Sequence, residues 1–373
     1  MRIFFYVQHL LGIGHLKRAA TLAHALAAAG FEVTLASGGP PAERIVSGNV
    51  KLVQLPPASA SDPGFRFLID ENAKPVDEAW KRRRCGALLK AYQSACADVL
   101  LIELFPFGRR QMRFELLPLL EAAGAAPRRP LVVCSVRDLI QANPAREDEM
   151  LERFERHFDR LLVHGDPRVA TFERSFRHAP RLSGRLHYTG YVVEQAPGAG
   201  GDAGAGEVLV SAGGGAVGQR LLETALEARS LSSLRERTWR VLAGINAKDL
   251  DRLKARAPEG VIVERSRNDF ALRLRNCVLS VSQAGYNTVM ETLQAGARAL
   301  LVPFAGGVES EQRLRARLLA ERGLIEVLEE RALSPAALAA AVDRAAARPR
   351  PAAGAVDLGG ARRSAELLRE WAA

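Results

Sequence analysis

Two stretches of this 373-residue chain carry residue types at spacings that suit chemistry. In the first, Ser282, Gly285, Asn287, Thr288 and Glu291 fall close together, and Glu311 and Gln312 follow. The apolar run 278–281 reads as a buried strand, so Gly285 opens a helix with Asn287 and Thr288 in its first turn. Free backbone N–H groups and the helix dipole make such a start an anion site, most naturally for phosphate. Glu291 lies about one turn further, where a carboxylate can accept from both hydroxyls of a ribose. A second run, 299–302, ends at Pro303 and Phe304, and the loop after it brings Glu311 and Gln312 towards the same strand ends. On spacing alone, an ordinary capped helix with Glu291 on a solvated face fits equally well.

The second stretch is Gly12, Gly14 and His15 after the apolar run 3–7. It is not a dinucleotide fingerprint, because Lys17 occupies the third glycine position. A histidine at a helix N-terminus is held neutral by the dipole and can accept a proton. His15 is therefore a candidate base, with His9 behind it because it precedes the glycine turn; a capping or packing role for His15 stays open. Glu103 ends the run 99–102, where a carboxylate can orient an imidazole or bind an acceptor. Arg109 and Arg110 follow the same run, Arg137 and Asp138 follow 131–134, and Asp166 follows 160–163. Singly, each reads as loop charge; together they make an acceptor rim, and Arg109, Arg110 and Arg137 suit an anionic acceptor. Ser211, Gly213 and Gly214 follow the run 208–210, and glycine there lets backbone approach a pyrophosphate.

These residues need a scaffold that brings strand ends together. Strand, glycine loop, helix 16–29 and strand 31–36 form a βαβ unit with parallel strands. Further runs at 50–55, 99–102, 131–134 and 160–163 extend it into a doubly wound α/β sheet. The segment QAPGAGGDAGAG, 195–206, breaks the pattern as a linker. The strand–glycine loop–helix order then restarts, with strands near 208–211, 239–242, 261–264, 278–281 and 299–302 and a helix from about Gln219. The expected division is an acceptor-side domain 1–194, a linker 195–206, a donor domain 207–350 and a C-terminal segment 351–373 able to fold back on the first domain. In open α/β sheets ligands bind at the C-terminal strand ends, so two such domains suggest a cleft with one substrate on each side.

The block 282–313 resembles the nucleotide-sugar-binding half of GT-B glycosyltransferases, specifically those related to glycosyltransferase family 28. The resemblance implies two Rossmann-like domains facing each other across a cleft, and an inverting transfer of a hexose or N-acetylhexosamine. The donor it implies is a nucleoside-diphosphate sugar, UDP-linked in the first instance. Carried over by position, Ser282, Gly285, Asn287 and Thr288 hold the diphosphate, Glu291 the ribose, and Glu311 and Gln312 the donor sugar. The loop after 261–264 faces the nucleobase in that family, which makes Arg265 and Phe270 base-recognition candidates; core packing suits Phe270 equally well. The loop ending at Gly14 and His15 resembles the family's first glycine-rich loop. There a base takes the proton of the acceptor hydroxyl as its oxygen attacks the anomeric carbon. The acceptor-side glycine pattern is not closely matched.

Composition excludes other classes. At 48% hydrophobic and 25% charged the chain is an ordinary globular protein, and no apolar window is long enough to span a membrane. The N-terminal run is too short for a signal peptide. The four cysteines form no CxxC pair, and Cys134 and Cys277 read as buried thiols in a reducing compartment. The expected location is cytoplasmic, with peripheral contact to an anionic membrane through a lipid-linked or anionic acceptor. Net charge is +10, but without a basic tail or an RNA-reading strand no nucleic-acid partner is expected. No Asp-x-Asp pair and no metal-spaced cluster occurs, so the expectation is neither metal nor cofactor beyond the nucleotide-sugar substrate. The alternatives are an epimerase or hydrolase of sugar nucleotides on the same scaffold, and a non-enzymatic nucleotide- or nucleic-acid-binding protein.

Overall fold

The computed structural model describes residues 1–42, 45–46, 48–62, 67–194, 200–212, 218–244, 250–306 and 310–372. The chain forms two compact units, one of Met1–Val192 with Gly359–Ala373 and one of Val193–Leu358.

The first unit contains β1 (Arg2–Val7), α1 (Gly14–Ala28), β2 (Glu32–Ser37) and β3 (Val50–Gln54). A small antiparallel ribbon of β4 (Ser59–Ala60) and β5 (Leu68–Ile69) follows. Then come α2 (Glu78–Ala95), β6 (Val99–Glu103), α3 (Arg113–Gly124), β7 (Leu131–Arg137), α4 (Glu147–His157), β8 (Arg160–His164) and β9 (Leu186–Tyr188). The main sheet is parallel, in the order β3-β2-β1-β6-β7-β8-β9. A parallel sheet is covered on both faces, which is why its strands read as continuous apolar runs. Along β1, Phe4 and Tyr6 enter the core with Leu116, Leu119 and Phe154, while Ile3, Phe5 and Val7 enter the opposite core with Leu16, Leu22 and Leu26 of α1. The last helix, α11 (Gly360–Ala372), packs beside α1 and puts Ala365, Leu367 and Leu368 into that second core.

One buried ion pair ties this unit together. Arg84 of α2 meets Glu115 of α3 at 2.7 Å, and both side chains are fully buried. Arg84 also donates to Gln8 Oε1 at 2.9 Å and to the carbonyls of Gly38 and Pro56 at 2.9 and 2.5 Å. Tyr6 donates to Glu115 at 2.5 Å. Loops leaving β1, β2 and β3 are thereby fixed to the helical layer.

The second unit contains β10 (Val208–Ser211), α5 (Gln219–Ala228), β11 (Trp239–Ala243), α6 (Leu250–Ala255), β12 (Val261–Arg265), α7 (Phe270–Asn276), β13 (Leu279–Ser282) and α8 (Tyr286–Gln294). It continues with β14 (Ala299–Leu301), α9 (Glu311–Glu321), β15 (Glu326–Val327) and α10 (Pro335–Ala347). This sheet is also parallel, in the order β12-β11-β10-β13-β14-β15. Val208 and Val210 face a core with α5 and α10, and Leu209 faces the smaller core of Leu242, Leu274 and Cys277. Among the described residues no helix is long and apolar enough to cross a membrane.

Candidate active site

In each sheet the strand order reverses at one place: between β1 and β6 in the first unit, and between β10 and β13 in the second. The loops leaving such neighbours run to opposite faces and open a crevice at their C-terminal ends. Glu103 is the last residue of β6, and Ser211 and Ser282 are the last residues of β10 and β13.

In the first unit, His15 is the second residue of α1, and Gly12 lies in the loop before it. Its Nδ1 lies 2.7 Å from Glu103 Oε1, with 18% of the His15 side chain exposed and 1% of Glu103. An ionised carboxylate only accepts, so Nδ1 carries the hydrogen and Nε2 is left as the basic nitrogen. Arg18, buried and three residues beyond His15, donates to the same carboxylate oxygen. Burial opposes the charge on Glu103, but the His15 hydrogen bond and the Arg18 and Arg109 charges hold its carboxyl well below its ordinary range. Burial drives the His15 pKa down to about 3; Glu103 opposes this, and Arg109 and Arg137 add to the fall. His15 is therefore neutral at ordinary pH, chiefly through burial rather than the helix dipole.

Arg109 thus acts on both His15 and Glu103, and Arg137 on His15 and Arg109. Arg137 is the last residue of β7 rather than the first of a loop. Arg109 sits in the left-handed region at φ 59°, as does Leu104 at φ 69°, so the loop leaving Glu103 is bracketed by two uncommon backbone conformations. Arg110 is exposed in the short helical turn that follows. Two expected rim acids stand just past the ends of β7 and β8 with their carboxylates engaged by nearby backbone. Asp138 is buried, accepts from the Leu139 amide at 2.9 Å and is covered by Gly165. Asp166 accepts from the Arg168 amide at 2.9 Å and from its guanidinium at 2.7 Å, closing a turn. Both carboxylates serve the fold there. His9 is buried against Gly39.

In the second unit, α8 begins where expected, with Gly285 as its N-cap and Asn287 and Thr288 in its first turn. No side chain caps this start. Gly285 has an ordinary φ of −63°, and a Cβ there would meet open space. Neither backbone strain nor packing within the protein demands a glycine, so the position is open to a close approach from outside. Ser211 and Ser282 are register partners on adjacent strands. Both hydroxyls are buried without a hydrogen-bond partner among the described residues, and so is the side-chain amide of Gln283. Buried polar groups are normally satisfied, so such a cluster calls for a ligand or water. Gly213 and Gly214, and the head of the linker at 195–199, lie outside the described residues.

Glu311 and Gln312 stand in the first turn of α9 rather than in the loop before it. Gln312 Oε1 accepts from the Phe304 amide at 3.2 Å, which ties that turn to the end of β14. Arg315, one turn further, is buried, stacks 5.4 Å from the Tyr286 ring and reaches the Ala284 carbonyl at 3.5 Å. Glu291 lies in α8, half-buried. Arg265 is the exposed last residue of β12, and Phe270 opens α7 with its ring against the smaller core, as packing alone would have it.

Sequence reasoning missed Arg18, Arg315 and Gln283. The first two were visible as helical neighbours, at i+3 from His15 and i+4 from Glu311.

Residues 209–356 match the glycosyltransferase family 28 C-terminal domain. A stretch of 128 residues is 33% identical to the UDP-N-acetylglucosamine–N-acetylmuramyl-(pentapeptide) pyrophosphoryl-undecaprenol N-acetylglucosamine transferase of Thiobacillus denitrificans, covering 33% of this chain and 35% of that relative. The chain therefore spans only about a third of the relative's length at sequence level. In three dimensions the likeness is complete in extent. A calicheamicin glycosyltransferase aligns over 100% of this chain and 98% of its own, with a TM-score of 0.63 and 17% identity. A spinosyn rhamnosyltransferase solved with thymidine diphosphate aligns over 100% of both chains, with a TM-score of 0.62 and 17% identity. The chain is thus a GT-B fold of two Rossmann-like units, related to glycosyltransferase family 28 through its second unit.

Proposed function

We propose that the chain is an inverting, metal-independent glycosyltransferase that moves a hexose or N-acetylhexosamine from a UDP-linked donor to an acceptor hydroxyl. The observation that carries this reading is the His15–Glu103 pair, a neutral imidazole with its hydrogen fixed on Nδ1 and Nε2 left basic. In the reaction, Nε2 takes the acceptor O–H proton as that oxygen bonds to the anomeric carbon. The bond from that carbon to the diphosphate oxygen breaks, and the diphosphate leaves with the electron pair. Attack from the face opposite the leaving group inverts the centre.

The start of α8 and the hydroxyls of Ser211 and Ser282 would receive the diphosphate charge, with Gly213, Gly214, Gly285, Asn287 and Thr288 beside them. Glu291 would hold the ribose, Glu311 and Gln312 the sugar, and Arg265 the base. Arg109 and Arg137 suit an acceptor bearing phosphate, including a lipid-linked one at an anionic membrane surface. The UDP-sugar in the name of the Thiobacillus relative and the thymidine diphosphate in the spinosyn enzyme support a nucleoside-diphosphate donor.

The test begins with a thermal-shift screen of nucleoside diphosphates, where a ligand at 100 times its Kd stabilises by about 2.7 kcal/mol. UDP-sugars are then turned over with and without hydroxyl acceptors, with and without chelator. Acceptor-dependent release of UDP with an inverted anomeric product, insensitive to chelator, is the expected result. Free sugar or a C2 epimer formed without acceptor would replace transfer by hydrolysis or epimerisation.

A further inference from the structure

The segment joining β12 to α7 is held in an unusual way. Glu207 meets Arg240 through two bonds of 2.6 and 2.8 Å. Arg240 reaches Glu264 at 2.8 Å, and Glu264 reaches Arg267 at 3.3 Å. Arg267 donates to Asp269 at 3.1 Å, and Asp269 accepts from Arg273 at 3.0 Å. Arg273 returns to Glu207 at 3.0 Å. These contacts close a ring of three guanidinium groups and three carboxylates, alternating in sign, in which every charge has an opposite on each side.

Three members of the ring, Glu264, Arg267 and Asp269, lie in or beside the segment; Glu207 stands just before β10, Arg240 in β11 and Arg273 in α7. Side chains 265–268 are exposed, so no apolar burial anchors them. Asp269 stands at the N-cap of α7 yet makes no capping bond. Its carboxylate is turned to Arg267 and Arg273 instead. Exposure rises around the ring from 8% at Arg273 and 12% at Arg240 and Glu207 to 48% at Arg267. The inner pairs fasten α7 to the sheet, and Arg267 fastens the segment to the inner pairs.

We propose that this ring sets the base selectivity of the nucleotide site, with Arg267 and Asp269 as positioning residues that hold the 265–270 segment in its base-reading shape. The inference rests on the nucleoside-diphosphate reading above, with Arg265 towards the base. Arg265 is paired with Ala243 in the sheet, and the Ser266 amide donates to the Ala243 carbonyl at 2.9 Å. Loss of Arg267 therefore frees only residues 267 and 268, next to Arg265, without disturbing the diphosphate cradle on α8. Discrimination between bases should therefore fall while the affinity common to all diphosphates persists. Because the outer pairs are half in solvent, salt should weaken them selectively.

The experiment is calorimetric binding of UDP, TDP, ADP and GDP to the full chain, the Arg267→Ala variant and the Asp269→Asn variant, at low and high salt. The wild type should rank the bases, and both variants should compress the ratio of best to worst affinity by about 3–10-fold, the range expected of a few partly exposed ion pairs. High salt should move the wild type towards the variants. Variants that keep the wild-type ratio while the wild type ranks the bases would overturn the ring's role and leave the donor reading intact. A wild type that binds none of the four would overturn the donor reading and this inference with it. A structural role alone would lower thermal stability while leaving the ratio of affinities unmoved.

Discussion

The two strand-order reversals differ in kind. In the first unit the crevice is lined by charge that is already paired: Glu103 lies against His15 and Arg18, Arg109 acts on His15 and Glu103, and Arg137 acts on His15. In the second it is lined by the Ser211 and Ser282 hydroxyls, neutral and without a hydrogen-bond partner among the described residues, and by a helix start that no described side chain caps. A preset ion pair fixes protonation states and orientation, which a proton transfer needs. Unfilled neutral donors leave the charge to be supplied from outside, which suits an anion that arrives, reacts and departs. One sheet architecture thus presents two kinds of strand end, one with charge built in and one without.

The contrast can be broken most forcefully at His15. Replacing it with alanine should cut turnover by about 10²–10⁴-fold while nucleotide affinity stays within twofold, measured by steady-state rates and calorimetry. Wild-type turnover under chemistry-limited conditions would end its role as base. Glu103→Ala should leave Arg18 buried without its carboxylate and destabilise the fold by about 3–5 kcal/mol, read from denaturant unfolding. A third effect comes from His164 at the end of β8, fully buried with Ser135 and Thr189 hydroxyls at 2.8 and 2.9 Å, whose pKa burial lowers to about 3. Its folded pKa is depressed, so the unfolded chain takes up the proton first. Stability is complete above about pH 6.5 and falls as pH drops towards 3, by roughly 1.4 kcal/mol per unit. His164→Gln should reduce that slope by about one proton; an unchanged slope would mean the imidazole titrates in the fold. The smallest effect belongs to the second unit. Ser282→Ala should weaken UDP binding by about 2–12-fold, the worth of one hydrogen bond. It should leave the unfolding midpoint unchanged, because that hydroxyl has no partner to lose among the described residues.

Much of this was legible in the sequence, and what was not has physical causes. The apolar runs located the strands, but the runs 99–102, 131–134 and 160–163 continue to Glu103, Arg137 and His164. In a parallel sheet the C-terminal strand ends form the site, so hydrophobicity stops before the strand does. Asp138 and Asp166 show a different difficulty: their post-strand position was right, but a short carboxylate there also closes turns, as both do, and spacing cannot separate the two roles. The Arg84–Glu115 pair and the six-charge ring were out of reach, because their members meet only after the layers pack.

The placement of α11 has a consequence for the order of synthesis. Gly360 donates its amide to the Tyr191 carbonyl at 3.0 Å, and Arg369 reaches the Ala29 carbonyl beneath α1. The second unit, residues 193–358, is translated between them. At 5–20 residues per second that interval lasts about 8–33 s. Throughout it, the flank of α1 that receives Leu367 and Leu368 is uncovered on the ribosome. The first unit is therefore completed only after the second has been translated, and a nascent chain exposes an apolar seam on α1 long after the strands β1–β9 are available to pair.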